Sequence, residues 1–221
     1  MLPPFGPKAR RSTTGPGVCR CDIVTGKGGV GKSVLAVGLA VAAARRGEKV
    51  LLATTGGRDD LSPLLGCAPL GDSLREVVQR VWAVAMTGES TRIEHAVQVL
   101  RFERVARLVF KNPLVRTLLD FVPALNEVNQ LGKLRWHAAG NGPCAFDRIV
   151  LEAPASGHAI SLLKAPILVG SVAAKGPMHR ETQSIVEWLR DPDATRVHLV
   201  TQATDMSCRE AEQLARALRA K

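Results

Sequence analysis

The segment Gly26-Lys27-Gly28-Gly29-Val30-Gly31-Lys32-Ser33 has the residue types and spacing that bind a polyphosphate. It matches the complete phosphate-binding pattern G-x-x-x-x-G-K-[ST]. Glycines leave backbone N–H groups uncovered, and a helix after the loop would direct the positive end of its dipole at the same point. Lys32 is predicted to reach the β- and γ-phosphates of ATP, and the Ser33 hydroxyl to hold Mg²⁺. The alternative is a glycine turn that carries a lysine by chance.

The segments on either side of this loop are those that would position it. Residues 18–25 have the pattern of a short strand, 34–44 that of an Ala-rich helix, and 49–54 (KVLLAT) that of a buried parallel strand. Strand, loop, helix and strand make a right-handed βαβ unit. The sequence therefore predicts an α/β fold of the P-loop NTPase type, with a mostly parallel sheet flanked by helices, over residues 18–221.

Composition excludes several other classes of protein. Hydrophobic residues make up 46% of the 221, which argues against a disordered chain. The chain contains no uncharged apolar run of roughly 18 residues, so we expect no transmembrane segment, and no secretory signal is recognisable. Five scattered cysteines favour reduced thiols and a cytoplasmic location over a disulfide framework.

The net charge of +10 is spread along the chain rather than concentrated in one basic stripe. Only 4% of the residues are aromatic, so the composition argues against a nucleic-acid interface, which requires clustered cations and stacking rings. Residues 1–17 contain four prolines, three glycines and no apolar periodicity. We expect this segment to be a disordered tail or a leader.

Lys27, directly after the first glycine, narrows the interpretation of the loop. The sequence G-K-G-G-V-G-K-S resembles the variant Walker A loop of the nitrogenase iron protein, MinD/ParA and ArsA class of ATPases. The resemblance implies that the early lysine crosses a dimer interface to the nucleotide of the other subunit, and so implies a homodimer. The alternative for Lys27 is an exposed, solvated side chain.

A second segment, at 147–158, adds to this resemblance. Residues 147–152 (DRIVLE) have the pattern of a strand that ends on Glu152, as in a Walker B segment, whose carboxylate holds Mg²⁺ usually through water. A strand-end salt bridge is the alternative. The sequence E-A-P-A-S-G-H at 152–158 resembles the second switch of the ArsA family of anion-transporting ATPases. There a glycine N–H senses the γ-phosphate, which implies this role for Gly157; His158 could relay the switch state or cap the next helix.

The first switch of the family is where this chain departs from the pattern. Residues 54–62 (TTGGRDDLS) resemble the segment S-T-D-P-A-H-x-L-S, in which the aspartate positions the attacking water. Gly56 occupies the position of that aspartate, and Asp59 and Asp60 could replace it or be solvated turn residues. Three functions stay open: a slow ATPase switch, a nucleotide-dependent binding module with little hydrolysis, and a positioning ATPase of the ParA/MinD type.

The remaining segments give the predicted organisation of the rest of the chain. A helical insert is expected at 72–139, with helices over 74–84, 93–110 and 114–136. The apolar stretch 113–137 is either a groove for a hydrophobic client helix or the core of the insert. Further predictions are a strand at 167–172, a helix at 177–190, a strand at 196–201 and a final helix with the capping box Ser207-x-x-Glu210. No metalloid-binding cysteine triad and no zinc C-x-x-C is recognisable.

Overall fold

In a computed structural model of the protein, the described residues are 19–55, 59–86, 124–142, 144–172 and 175–219. The predicted tail at 1–17, the helix at 93–110 and the first part of the helix at 114–136 lie outside them. The elements in chain order are β1 (Arg20–Gly26), α1 (Lys32–Arg45), β2 (Val50–Thr54), α2 (Ser62–Leu65), β3 (Arg75–Val78), β4 (Val81–Ala85), α3 (Leu125–Ala138), β5 (Arg148–Ala155), α4 (Ser156–Val172), α5 (Pro177–Arg190), β6 (Thr195–Val200) and α6 (Asp205–Arg219).

The described strands form one sheet in the order β3-β4-β2-β5-β1-β6. All neighbours pair in parallel except β3, which runs antiparallel to β4. β1 therefore lies between β5 and β6, and its carboxyl end shares one edge of the sheet with the ends of both neighbours. This mostly parallel sheet is that of the predicted α/β fold of the P-loop NTPase type. Ligands of open parallel sheets bind at the edge formed by the carboxyl ends of the strands.

Helices cover both faces of the sheet, which is why the central strands are almost continuously apolar. Ile23 and Leu151 are fully buried on one face, in a core that α3, α4 and α5 complete. Val24 and Val150 are fully buried on the opposite face against α1. Helix α1 buries Ala36, Ala40 and Ala43, so that only small side chains separate its axis from the sheet.

Cys19, directly before β1, and Cys21, within it, are buried in the same core as Ile23, which fits the alternation of side chains along an extended chain. Burial raises the pKa of the Cys19 thiol to about 12, and burial also raises the pKa of Cys21 well above its ordinary value. Neither thiol is therefore poised to ionise, which is the behaviour of buried structural cysteines.

Two of the predicted elements are wrong. Residues 74–84 form the hairpin of β3 and β4 and not a helix: Arg80 adopts φ 64°, a turn conformation, and Val81 pairs with Val50 of β2. Residues 167–172 are the last turns of α4 and not a strand. A short apolar run fits a buried strand and a buried helix equally well, so its periodicity could not decide between them.

The described part of the predicted insert belongs to the main core. Val128, Leu131 and Leu134 of α3 are fully buried in the same core as Ile23. For these residues the groove interpretation is wrong, and the core to which they belong is that of the sheet and not a separate core of an insert. Among all the described residues of the chain, no helix combines the length and the apolar character needed to cross a membrane.

Candidate nucleotide-binding site

The loop between β1 and α1 has the backbone geometry for which its glycines are required. Gly29 and Gly31 have φ of 76° and 95°, in the left-handed region that favours glycine. Gly26 has φ of 155°, and a Cβ atom there would lie 2.2 Å from the carbonyl oxygen of Val200. Gly28 meets nothing within 4 Å of where its Cβ would stand, so its surroundings leave room for a ligand.

Helix α1 begins without a capping side chain. Its capping residue is Gly31, no side chain caps it, and its first turn contains no acidic residue. The first N–H groups of a helix have no partner within the helix, and they carry about half a positive charge. An anion at this point would satisfy both the N–H groups and the dipole.

Lys32 is folded back onto the loop that it is predicted to serve. Its ammonium group donates a hydrogen bond to the carbonyl oxygen of Lys27 at 3.0 Å. This contact holds the positive charge of Lys32, the first residue of α1, next to the glycine-rich loop. A phosphate oxygen could replace the carbonyl oxygen as the acceptor, because both offer the lysine the same kind of lone pair.

Ser33 and Glu152, which are predicted to hold Mg²⁺, are in direct contact. The Ser33 hydroxyl donates to Glu152 Oε1 at 2.5 Å, and Glu152 is 6% exposed. Its second oxygen, Oε2, has no hydrogen-bond partner among the described residues. Burial, together with the nearby Asp60 carboxylate, raises the pKa of Glu152. A hydroxyl beside a partly unsatisfied buried carboxyl suits a hard cation with oxygen ligands, so these residues fit the ion.

Thr55, which the sequence analysis did not single out, lies at the same edge. It follows the last residue of β2, and its N–H donates to the Glu152 carbonyl at 3.4 Å. Its buried hydroxyl is likewise without a partner among the described residues. The rule that ligands bind beyond the carboxyl ends of parallel strands would have identified Thr55 as a candidate.

The predicted second switch lies against the start of the loop. Gly26 and Ala155 are opposite each other in the β1–β5 register, and Thr25 donates its hydroxyl hydrogen to the Pro154 carbonyl at 3.1 Å. Gly157 is the second residue of α4 and is exposed, with open space where a Cβ would stand. Its N–H is therefore one of the first-turn donors that the helix itself leaves free.

Of the two acidic candidates in the first switch, the structure ties down one. Asp59 accepts hydrogen bonds from the backbone N–H groups of Ser62 at 3.0 Å and Leu70 at 2.6 Å, so it serves the loop itself. Asp60 is exposed, and its charge contributes to the raised pKa of Glu152. Gly56 lies outside the described residues.

Lys27 has a partner that the sequence analysis missed. Its ammonium group donates to Glu210 Oε1 of α6 at 2.8 Å. The prediction that Glu210 belongs to a capping box is wrong: α6 begins at Asp205, and the N–H of Ser207 donates to the Thr204 hydroxyl. The sequence signal for the contact is weak, because a glutamate within a polar helix offers no clue to its partner.

Known proteins resemble this chain over most of its length. Residues 19–182 match the sequence model of a family described as anion-transporting ATPases. The chain is 30% identical over 190 residues to the ATPase BagA of Mycobacterium tuberculosis and to a provisionally named ATPase, Mb3704, of Mycobacterium bovis. These alignments cover 82% of this chain and 56% of each relative. The chain therefore spans about half the length of the curated relatives that it matches.

Proposed function

The chain belongs to the anion-transporting ATPase family, and on this premise we propose that it is a Mg²⁺-dependent ATP-binding switch that hydrolyses ATP slowly. We further propose that it acts in the cytosol as a homodimer and couples its nucleotide state to a client or membrane partner. The observation that carries the proposal is the contact between Ser33 and Glu152, which joins the phosphate-binding loop to β5, three residues before the end of that strand.

Each group at this edge of the sheet has a role suited to a triphosphate. The N–H groups of the loop and the amino terminus of α1 would bind phosphate oxygens, and Lys32 would exchange the Lys27 carbonyl for one of them. Ser33 and Glu152 would hold Mg²⁺, which when bound neutralises phosphate charge. Gly157, at the start of α4, would donate its N–H to the γ-phosphate and lose that contact when the phosphate leaves.

The surface next to the loop supports pairing with a second copy. Val34 and Leu35, in the first turn of α1, are 63% and 37% exposed, although apolar side chains gain free energy when they are covered. They directly follow Lys32 and Ser33 in the chain, so a second chain that covers them would lie beside the phosphate-binding loop and would bring its own Lys27 toward the bound phosphates. Hydrolysis would then relax the segments at 54–62 and 152–158 and separate the two chains.

A binding module with little hydrolysis is the second candidate, and the contacts of Asp59 favour it. Each carboxylate oxygen of Asp59 accepts a hydrogen bond from a backbone N–H group, so the orientation of this side chain is set by its own loop. Asp60 is then the one acidic residue of the described part of the first switch that is available to orient a water molecule. Hydrolysis is expected to be slow even if Asp60 takes that role, since its charge is exposed to solvent.

Release of inorganic phosphate with excess ATP and Mg²⁺ tests the proposal. The wild-type chain should release phosphate above background, and Glu152→Gln should lower the rate by roughly 10- to 100-fold, as expected when a group that orients a metal ligand is lost. Glu187→Gln, at an exposed position of α5, is the matched control and should leave the rate unchanged. Saturable ATP binding with a background rate would support the binding module instead.

A further inference from the structure

We infer that Glu210 is a positioning residue that holds Lys27 against its own subunit, so that pairing of two chains must first break this ion pair. The inference rests on the proposed function, because it assigns a regulatory contact to the same loop. The two charged atoms lie 2.8 Å apart. A lysine held in this way cannot at the same time extend across an interface to the phosphates of another chain.

Among the described residues, the ion pair is accompanied by two further contacts between the loop and residues 195–219, which comprise β6, α6 and the turn between them. Gly26 pairs with Val200 so closely that the carbonyl of Val200 excludes a Cβ. The side-chain amide of Gln202 donates to the Gly29 carbonyl at 3.3 Å. Gly26, Lys27 and Gly29 of the loop thus each contact this segment, so a movement of the loop would be transmitted to α6.

Helix α6 packs against the rest of the chain through two buried residues, Ser207 and Leu214. Leu214 is 4% exposed and belongs to the buried residues of the chain, and the Thr204 hydroxyl is hydrogen-bonded to Ser207 in the first turn. Glu210 stands one turn before Leu214 on this helix. Its carboxylate therefore meets Lys27 from a packed element rather than from a free surface loop.

ATP would weaken the hold in two ways. Lys32 donates a hydrogen bond to the carbonyl oxygen of Lys27. If the Lys32 ammonium group bound a phosphate oxygen instead, the backbone of Lys27 would lose this hydrogen bond. The negative charge of a triphosphate would also draw the Lys27 ammonium away from Glu210 and repel the carboxylate. The ion pair would thus favour the single chain without nucleotide and yield once ATP is bound.

The exposure of the pair sets the size of the expected effect. Lys27 and Glu210 are 40% and 36% exposed, and exposed ion pairs change an equilibrium by only roughly 1.5- to 5-fold. Two such pairs break when a dimer forms, so removal of Glu210 should strengthen ATP-dependent pairing by roughly 2- to 25-fold. The effect should shrink in high salt, because exposed charges are screened.

Sedimentation in ATP and Mg²⁺ at a series of protein concentrations tests the inference. Glu210→Gln should reach half-maximal pairing at a concentration lower by roughly 2- to 25-fold than the wild type. The matched control is Glu212→Gln: Glu212 lies on the same helix, and its own partner is Arg216 at 3.6 Å. It should leave the midpoint unchanged. Pairing of the wild type that Glu210→Gln does not strengthen would overturn the inference and leave the proposed function intact.

A double-mutant cycle without nucleotide tests the contact independently of any ATPase activity. The free energies of unfolding of the wild type, Lys27→Ala, Glu210→Gln and the double variant should reveal coupling, equivalent to a roughly 1.5- to 5-fold change in the unfolding equilibrium. Additive effects would show that the two side chains do not interact in solution, and would overturn the inference even if the chain proves to be an active dimeric ATPase.

Discussion

The hydroxyl of Ser33 donates a hydrogen bond to the Glu152 carboxylate across 2.5 Å, although 119 positions separate the two residues in the sequence. Ser33 is the second residue of α1, and Glu152 lies in β5, the neighbour of β1 in the sheet. The contact brings the end of the phosphate-binding loop and the start of the second switch segment to one point. A cation bound at this point would contact both segments.

Replacement of two glycines of the loop by alanine should affect different properties: stability at Gly26 and ATP binding at Gly28. Gly26→Ala should destabilise the chain by about 1–3 kcal/mol or more, because its φ is 155° and the new Cβ would meet the Val200 carbonyl at 2.2 Å. Gly28→Ala should leave stability within about 0.5 kcal/mol, since that site is open, but should weaken ATP binding by crowding the phosphates. Urea denaturation and a nucleotide-binding titration measure the two effects; equal stability of the two variants would contradict the geometry.

Asp22 should stabilise the fold in a pH-dependent manner. Burial by itself raises the pKa of this carboxyl, but hydrogen bonds from His198 and Arg148 outweigh burial and hold the pKa below its ordinary value of 3.8. The ionised form therefore stabilises the folded chain above that value, and the contribution is lost as the pH falls through the lower folded-state pKa. Asp22→Asn should cost about 3 kcal/mol at neutral pH, because it leaves the charge of Arg148 less well paired.

The test of Asp22 is urea denaturation at pH 7 and again near pH 3. The difference between Asp22→Asn and the wild type should shrink at the lower pH, because pH 3 lies below the ordinary pKa of 3.8 and the unfolded wild-type chain then gains stability by binding a proton at Asp22. Asp193→Asn, at an exposed turn position, is the control and should change stability little at either pH. A difference of the same size at both values would show that the loss comes from packing and not from charge.

Lys27→Ala should separate nucleotide binding from pairing. One chain should still bind ATP, because the side chain of Lys27 contacts Glu210 and not the loop interior. Turnover and ATP-dependent dimerisation should each fall by at least about 10-fold, the worth of a hydrogen bond to a charged group. Lys49→Ala, which removes an exposed lysine just before β2, is the control. Normal dimerisation and turnover of Lys27→Ala would exclude an intersubunit role for this residue.

Local patterns were sufficient for the centre of the sheet and for most of the site. The loop, β1, β2 and β5 could be predicted because glycine spacing and buried parallel strands leave unmistakable sequence patterns. Ser33 and Glu152 followed from that framework, and the structure brings them together. The comparison with the anion-transporting ATPase family confirms the family that the loop and the 152–158 segment indicated.

Tertiary context decided what the sequence could not predict. Residues 74–84 have apolar spacing that fits a helix, but Val77, Val78 and Val81 are β-branched and suit the pleated edge beside β2. The apolar run at 167–172 continues α4 past Pro166, which is buried within the helix. The Lys27–Glu210 contact joins elements 183 positions apart, and a charge on a polar helix face carries no sequence signal for such a partner.

Calorimetric titration of ATP into the chain, with and without Mg²⁺, tests the central claim most directly. We expect one saturable site per chain, tighter with Mg²⁺, and affinity at least about 10-fold weaker in Lys32→Ala, which removes a charged hydrogen-bond donor to phosphate. Lys49→Ala should bind like the wild type. The absence of saturable heat, or an unchanged isotherm for Lys32→Ala, would contradict the assignment of the 26–33 loop as the nucleotide site.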